Sequence, residues 1–401
     1  MRILIYGIFV FSIFFYCCKG KNPEKGATDV KNEQSEGDSN AVIESKTEVN
    51  PNYTPTLVTL KGYVKGGSGS NVILDELDIG KINPLVSEII DENGNFQFNV
   101  FVNEPGIFQL RFPNGSLHLF LRGGNVQVNT NISKIGDYEV IGSLESMHLK
   151  EMYKILNDEN HKTITVQDRV KYLETEKDKV RELLALVDSL PIYYESIKKS
   201  KSARLVKFIE RIDTSMIALL AAFYLDTDLN YDFIVGVLDK FSSIAPHSKF
   251  YTQLSNKMSK IIPVGAGKMA PNTVVDGPDG RSIILSDYKG KTVLLYFWAS
   301  YSQPSRKENL IIKPVSDKYK NKGFIVFSIS LDEQKEPWLA AIKEDNLNWV
   351  NSSNILGWED EISHIYRVDN LPYLILIDKT GKIVARGFRA YELEKLLIPL
   401  L

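Results

Sequence analysis

Two serines spaced three residues apart, Ser302 and Ser305, follow an apolar stretch at residues 293–297 and could bring hydroxyl chemistry to a helix start. Ser302 is suited to cap a helix whose first turn contains Pro304. A serine in that place could attack a carbonyl, because an oxyanion can be held at a helix N-terminus. A serine nucleophile also needs a base, and nothing in the sequence brings His364, the only histidine after residue 263, beside it. We therefore expect a capping role, with a Ser302-based hydrolase as an alternative.

The apolar stretch at 293–297 is rich in β-forming residues and predicts a strand covered on both faces. Residues 297–306 read Phe-Trp-Ala-Ser-Tyr-Ser-Gln-Pro-Ser-Arg. This resembles the thioredoxin superfamily and, within it, the exported thiol-disulfide oxidoreductases of the TlpA/ResA type, whose motif reads F-W-A-S-W-C-x-P-C-R. Both family cysteines are serines in this chain. Since dithiol exchange needs a thiolate and a second, resolving sulfur, we expect a redox-inactive protein with no catalytic residue.

The resemblance continues downstream through residues 323–332, a strand, and 338–347, a helix. Residues 368–378 match the segment in which the family carries a cis-proline, which makes Pro372 the matching proline, and 379–385 match the hairpin that follows. We therefore predict a cis bond before Pro372.

In the family, the surface around the cis-proline takes up substrate peptide, with the backbone before the proline pairing in strand fashion. The family usually has a small threonine after the proline, and we expect the bulkier Tyr373 to fill part of the groove. Packing in the core is the other interpretation of the same side chains, and both remain open. The resemblance implies a groove lined by Trp298, Tyr301, Leu371, Pro372 and Tyr373.

The N-terminus predicts export and lipid anchoring. Residues 1–17 have a basic start and an apolar run that is too short for a membrane span but typical of a signal peptide. The run ends at Cys17 and Cys18, the only two cysteines of the chain. Cys18 is the better lipidation site, because cleavage before it leaves the small Cys17 ahead of the cut. An uncleaved N-terminal anchor is the alternative.

After Cys18, the polar composition of residues 18–56 predicts a disordered tether with a reach of roughly 35 Å. With Cys18 acylated, the mature chain has no free thiol, disulfide or dithiol, although exported proteins occupy an oxidising space. These features place the protein in the envelope of a Gram-negative bacterium, lipid-anchored and facing the periplasm or outside.

The rest of the chain predicts a multidomain protein. Short apolar stretches separated by turn signals at 57–141 indicate an antiparallel β domain, similar to the β-rich domain that precedes thioredoxin-like domains in bacterial lipoproteins. Residues 142–262 have helical periodicity and indicate an all-α segment, in which we expect Pro191 to end one helix. Residues 263–401, beginning with a linker at 263–267, form the α/β thioredoxin-like domain.

Composition excludes several functions. The net charge of −2 is spread without a basic stripe, so no nucleic-acid partner is expected. The five histidines are scattered and no cysteine ligands are available, so we expect no metal. Gly290-Lys291-Thr292 lacks the upstream glycine of a phosphate-binding loop, since position 285 is Leu. No cofactor is predicted.

The sequence thus favours a tethered thioredoxin-fold protein with a binding or structural role. Its expected partners are the membrane, through the lipid anchor, and an extended peptide or another envelope protein. The alternative from the same family is an active oxidoreductase that works through an unidentified group.

Overall fold

The computed structural model describes residues 42–44, 50–78 and 80–401. The predicted signal peptide, Cys18 and most of the predicted tether lie outside the described residues. The chain divides into two compact units, the first ending at Lys154 and the second running from Ile155 to Leu401. The predicted fold class is confirmed: strands come first, helices follow, and an α/β domain ends the chain. None of the helices in the described ranges is long and apolar enough to cross a membrane.

The first unit contains two sheets. A five-stranded sheet has the order β1-β5-β2-β8-β9, and a four-stranded sheet has the order β4-β3-β6-β7. Alternate residues of these strands are buried, as on β5, where Phe96, Phe98, Val100 and Val102 face one common core. The strands are β1 (Val42–Glu44), β2 (Thr56–Lys65), β3 (Asn71–Asp78), β4 (Lys81–Ile89), β5 (Asn95–Val102), β6 (Gly106–Phe112), β7 (Gly115–Leu121), β8 (Gly124–Asn131) and β9 (Glu139–Ile141).

Strand β1 corrects the predicted tether. Val42–Glu44 fall inside residues 18–56, yet they pair in parallel with Asn99, Val100 and Phe101 of β5. The prediction of disorder is therefore wrong for these three residues, and also for Thr56, the first residue of β2. The average composition of residues 18–56 is polar and gives no sign of the two β-branched residues Val42 and Ile43. The side of β5 that β2 leaves unpaired offers hydrogen-bond partners to their backbone.

Five helices link the β sheets to the C-terminal domain, and the boundary between the two units falls within the first of them. The prediction that Pro191 ends a helix is wrong, because it lies inside α2. The helix continues because Leu183, Ile197 and Leu205 are buried along one face, and their contacts offset the one backbone hydrogen bond that proline removes. The helices are α1 (Leu144–Thr175), α2 (Val180–Ile212), α3 (Met216–Phe223), α4 (Tyr231–Ile244) and α5 (Lys249–Ser259).

The predicted linker at 263–267 packs as part of the second unit. A 3-10 helix covers Ile262–Val264, and Val264 is buried in the same core cluster as Leu295 and Phe297. The helices from residue 155 onward and the thioredoxin-like domain belong to the same compact unit.

The thioredoxin-like domain is a five-stranded mixed sheet of order β14-β13-β12-β15-β16, with a separate hairpin of β10 and β11. The central strand β12 is parallel to β13 and antiparallel to β15, and all seven of its residues are buried. The strands are β10 (Val274–Asp276), β11 (Ser282–Ile284), β12 (Thr292–Trp298), β13 (Phe324–Ser330), β14 (Val350–Ser352), β15 (Tyr373–Ile377) and β16 (Ile383–Arg386). The helices are α6 (Gln303–Tyr319), α7 (Lys335–Glu344), α8 (Glu361–Ile365) and α9 (Ala390–Leu397).

Two cores lie on the two faces of this sheet. Leu295 and Phe297 of β12 enter one core, whereas Leu294, Tyr296 and Trp298 enter the other. Successive side chains of a strand point to opposite faces, so an all-apolar strand is the sequence that two covered faces require.

Candidate functional site

Ser302 and Ser305 lie at the start of α6, directly after the loop that leaves β12. Ser302 is the N-cap, and its hydroxyl accepts the backbone N–H of Ser305 at 3.3 Å. The hydroxyl of Ser305 donates a second hydrogen bond to the same Ser302 oxygen at 2.9 Å. Ser305 is fully buried, and Ser302 is partly exposed. The two side chains therefore bond to each other and to the helix start.

A buried carboxylate that sequence reasoning missed shapes the loop before Ser302. Asp332 accepts the backbone N–H of Ser300 at 2.9 Å and its hydroxyl at 2.5 Å. The hydroxyl of Ser330 donates to the same carboxylate. Asp332 is only 3% exposed, so these donors stabilise a charge that would otherwise be buried at a cost.

The first turn of α6 is fixed by ion pairs. Arg306 donates to Asp345 at 2.5 and 2.6 Å and to Glu344 at 3.0 Å. The hydrogen bonds to Asp345 are the largest cause of the raised pKa of Arg306. The guanidinium of Arg306 is therefore held in structural ion pairs and is not a free charge that faces a substrate.

The structure gives no support to a serine hydrolase. In the described part of the chain, no hydrogen bond joins Ser302 to His364, and Ser302 accepts its side-chain hydrogen bonds from Ser305 alone. His364 lies in the short helix α8. Nucleophilic attack by Ser302 would require a general base within hydrogen-bond distance of its hydroxyl, and His364 does not fill that role.

The Leu371–Pro372 peptide bond is cis, as predicted. The antiparallel pairing of β12 with β15 sets Tyr373 opposite Phe297. Pro372, one residue earlier in the chain, therefore lies beside the Trp298 end of β12, where the loop toward Ser302 begins. The cis-proline and the two serines therefore lie at the same end of the sheet.

The predicted groove is wrong for three of its five residues. Trp298 is fully buried and stacks with Tyr296 at a ring-centroid distance of 6.5 Å. Pro372 and Tyr373 are also buried. Trp298 is hidden because the sheet is covered on both faces, so its position at the end of β12 does not expose it.

Two of the predicted groove residues do reach the surface. Tyr301 is 61% exposed and Leu371 is partly exposed. Trp358, which the sequence analysis missed, is 38% exposed and lies near enough to Tyr301 to affect its pKa. The pKa of Tyr301 is raised, chiefly by partial burial and next by the charges of Asp332 and Glu333. The accessible part of the site is thus an aromatic and aliphatic surface.

Tyr373 turns away from this surface into a buried polar cluster. Its hydroxyl donates to Asp228 at 2.5 Å and accepts from Arg386 Nη2 at 2.7 Å. Burial raises the pKa of Tyr373, and the neighbouring Asp228 carboxylate raises it further. The expectation that this side chain fills part of the groove is wrong, because a carboxylate and a guanidinium bind its hydroxyl in the interior.

Within the described residues, no group of three or more His, Cys, Asp or Glu side chains is arranged to hold a metal ion. The side chains at this end of the sheet are hydroxyl, aromatic and aliphatic groups, and the carboxylate of Asp332 accepts three hydrogen bonds from serines. This site offers hydrogen bonds and apolar contacts.

The five-stranded sheet, the helix that begins at Ser302 and the cis-proline beside it define a thioredoxin-like protein. A family model described as thioredoxin-like matches residues 290–383. The thiol-disulfide oxidoreductase ResA of Bacillus cereus is 34% identical over 134 residues, which cover 33% of this chain and 76% of that relative. The chain belongs to the TlpA/ResA-type family of thioredoxin-like proteins.

Other relatives match the same part of the chain. ResA of Bacillus subtilis is 31% identical over 121 residues, covering 30% of this chain and 66% of that protein. The solved structure of a thiol-disulfide oxidoreductase from Bacteroides fragilis is 35% identical in sequence, with a TM-score of 0.32. The match covers 33% of this chain and 100% of that chain. About two thirds of this chain lie outside each of these alignments.

Proposed function

We propose that this chain is an exported, lipid-tethered thioredoxin-fold protein that does not exchange disulfides and that acts by binding. One observation carries the proposal: Ser302 and Ser305 stand where the family motif has its two cysteines, and their hydroxyls are hydrogen-bonded to each other at 2.9 Å. The only cysteines of the chain are Cys17 and Cys18, at the end of the predicted signal peptide.

The chemistry supports this proposal. Disulfide exchange proceeds by attack of a thiolate on a sulfur, and a second thiolate then resolves the mixed disulfide. A serine hydroxyl is not ionised near neutral pH without a base beside it, and it forms no stable bond to a partner's sulfur. The fold of the motif is kept, but its two hydroxyls serve as a helix cap.

The accessible surface beside the cis-proline fits a peptide better than a small polar molecule. Tyr301, Trp358 and Leu371 offer aromatic and aliphatic contacts, and the Tyr373 hydroxyl is held in the interior by Asp228. Aromatic residues supply much of the binding energy of peptide interfaces. The proposed partner is an extended peptide segment or another envelope protein that presents one.

The proposed location is the envelope of a Gram-negative bacterium, facing the periplasm or outside. The support is the apolar run at the N-terminus, Cys18 after it, and the polar residues that follow. Acylation at Cys18 would make the membrane a second partner. Several acyl chains are needed for a stable anchor, since one chain gives only marginal binding.

Peptide binding can be tested with reduced and carboxymethylated insulin B chain, an extended polypeptide without free thiols. We expect saturable binding by calorimetry, and chemical-shift changes concentrated at Tyr301, Trp358 and Leu371. Tyr301→Ala should weaken binding, whereas Tyr63→Ala, which removes an exposed tyrosine of the β domain, should not. Equal affinities of the two variants, or shift changes confined to the β domain, would refute the proposed binding surface.

A further inference from the structure

We propose that Asp228 is a positioning residue for the peptide-binding surface beside cis-Pro372, and that it acts by holding the Tyr373 side chain. The proposal rests on the proposed function above for the identity of the surface. It gives the helical segment a specific task, because Asp228 lies in the loop between α3 and α4, outside the thioredoxin-like domain.

The geometry of three side chains carries the inference. Asp228 accepts the Tyr373 hydroxyl at 2.5 Å on one carboxylate oxygen and Arg386 Nε at 2.6 Å on the other. Arg386 Nη2 donates to the Tyr373 oxygen at 2.7 Å, which closes the ring of contacts. We call these three residues the Asp228 cluster.

The Asp228 cluster is largely buried. The side chain of Arg386 is 2% exposed and that of Asp228 is 14% exposed. The remaining guanidinium donors reach the carbonyl of Val264 at 2.8 Å and that of Tyr366 at 3.0 Å. Such a pair is costly to break, because removing one partner leaves the other charge buried without compensation.

The loop that carries Asp228 is itself braced. Asp226 accepts the backbone N–H groups of Asp228 at 3.1 Å and of Leu229 at 2.8 Å, and it pairs with Lys198 of α2 at 3.0 Å. The Asp228 carboxylate is therefore presented by a fixed turn, and it does not reach Tyr373 through a flexible segment.

Gly387 leaves the space that Asp228 occupies. A Cβ atom at this position would lie 2.4 Å from an Asp228 carboxylate oxygen, and the backbone has a φ of +66°. Only glycine combines that conformation with such a close approach. The end of β16 is thus shaped to admit a carboxylate from the helical segment.

The Asp228 cluster acts on the binding surface through the chain itself. Tyr373 immediately follows cis-Pro372, and Leu371, one residue further back, is partly exposed. Because Tyr373 pairs with Phe297 at the end of β12, a shift of Tyr373 moves the proline loop relative to the loop that leads to Ser302. The helical segment therefore sets the width of the surface between the two loops.

The test uses Tyr373→Phe, which removes one hydroxyl, and Asp228→Asn, which removes the charge at constant shape. The matched control is Asp232→Asn, an exposed acid four residues along the chain. Hydrogen exchange at the amides of Leu371 and Tyr373 is measured in each full-length variant, together with affinity for carboxymethylated insulin B chain. Thermal unfolding shows that each variant is folded.

We expect faster exchange at the residue 373 amide, which lies in the β12–β15 pairing, in Tyr373→Phe and Asp228→Asn, with part-exposed Leu371 as the fast-exchanging reference. Peptide binding should weaken about fivefold or more, the ratio that one hydrogen bond typically supplies. Asp232→Asn should match the wild type. Wild-type exchange at residue 373 in folded Tyr373→Phe would overturn the proposal, whatever Asp228→Asn does. If the wild type binds no peptide, the proposed function fails, while the exchange comparison still decides whether Asp228 positions the loop.

Discussion

The hydroxyl of Ser305 donates a hydrogen bond to the hydroxyl of Ser302 across 2.9 Å at the first turn of α6. These two oxygens stand where the TlpA/ResA-type motif has two sulfurs. The side chains already point at each other, so the local backbone retains the arrangement of a dithiol although the atoms that perform exchange are absent.

The first prediction follows from that arrangement. Ser302→Cys combined with Ser305→Cys should yield a disulfide that forms in air and is reduced by dithiothreitol, since the facing side chains and the helix N-terminus favour a thiolate at position 302. Tyr373 does not obstruct this, because its hydroxyl is bound by Asp228. Thiol titration of the folded variant, made in protein without residues 1–18 and so without Cys17 and Cys18, should count no thiols before reduction and two after it.

Each single substitution, made in the same protein without residues 1–18, is the control and should titrate as one thiol throughout. Two thiols in the folded double variant that never oxidise would mean that the surroundings of the motif have diverged along with its sulfurs.

The second prediction concerns the carboxylate that holds the loop before Ser302. Asp332→Asn replaces an acceptor of three donors with a group that must turn an N–H toward one of them. The free energy of unfolding should fall by about 1–3 kcal/mol, the cost of leaving a buried hydrogen-bonding group unsatisfied. Urea unfolding measures the change. Asp279→Asn, in an exposed turn, is the matched control, and an equal loss in both variants would contradict the role of Asp332.

Much of the thioredoxin-like domain could be predicted from local sequence. An unbroken apolar strand needs two covered faces, a serine before a proline starts a helix, and a resemblance placed the cis-proline. Each of these signals lies within about ten residues of the feature that it predicts.

The partners of the site could not be predicted in the same way. Tyr373 and Asp228 are 145 residues apart in the chain, and Asp332 lies 32 residues beyond Ser300. Nothing in the sequence near Tyr373 indicates that a carboxylate binds its hydroxyl in the interior. The size of Tyr373 alone therefore predicts that it fills part of the groove. The prediction that Trp298 lines the groove is wrong because a strand that is apolar on both faces does not indicate which of its residues reach the surface.

The third prediction concerns pH and the β domain. Burial lowers the pKa of His118 from 6.5 to about 4, and its ring packs against Tyr153 at a centroid distance of 5.1 Å. His118 is therefore protonated below about pH 6.5 in the unfolded chain, but only below about pH 4 in the folded chain. The contribution of neutral His118 to the free energy of unfolding is fully present above pH 6.5, and it is lost as the pH falls toward 4.

Unfolding free energy measured between pH 7 and pH 4 should show this loss, with an upper limit of about 3 kcal/mol from the linkage of pKa to stability. His118→Phe keeps an aromatic ring and should flatten this part of the profile. A His118→Phe profile as steep as that of the wild type would show that other groups cause the loss.

The fourth prediction concerns anchoring. Full-length protein expressed in a Gram-negative host should fractionate with membranes, and Cys18→Ser should leave it unprocessed or release it to the soluble fraction. Cys17→Ser should preserve both processing and membrane association. If the two substitutions have the opposite effects, Cys17 carries the lipid; if neither matters, the lipoprotein interpretation fails.

The most direct test of the central claim is insulin reduction by the purified protein without residues 1–18, in the presence of dithiothreitol. We predict no rate above the uncatalysed reaction for the wild type, and a measurable rate for the variant with Ser302→Cys and Ser305→Cys under the same conditions. Turnover by the cysteine-free wild type, with no thiol detectable by titration, would contradict the account and favour an oxidoreductase that works through another group.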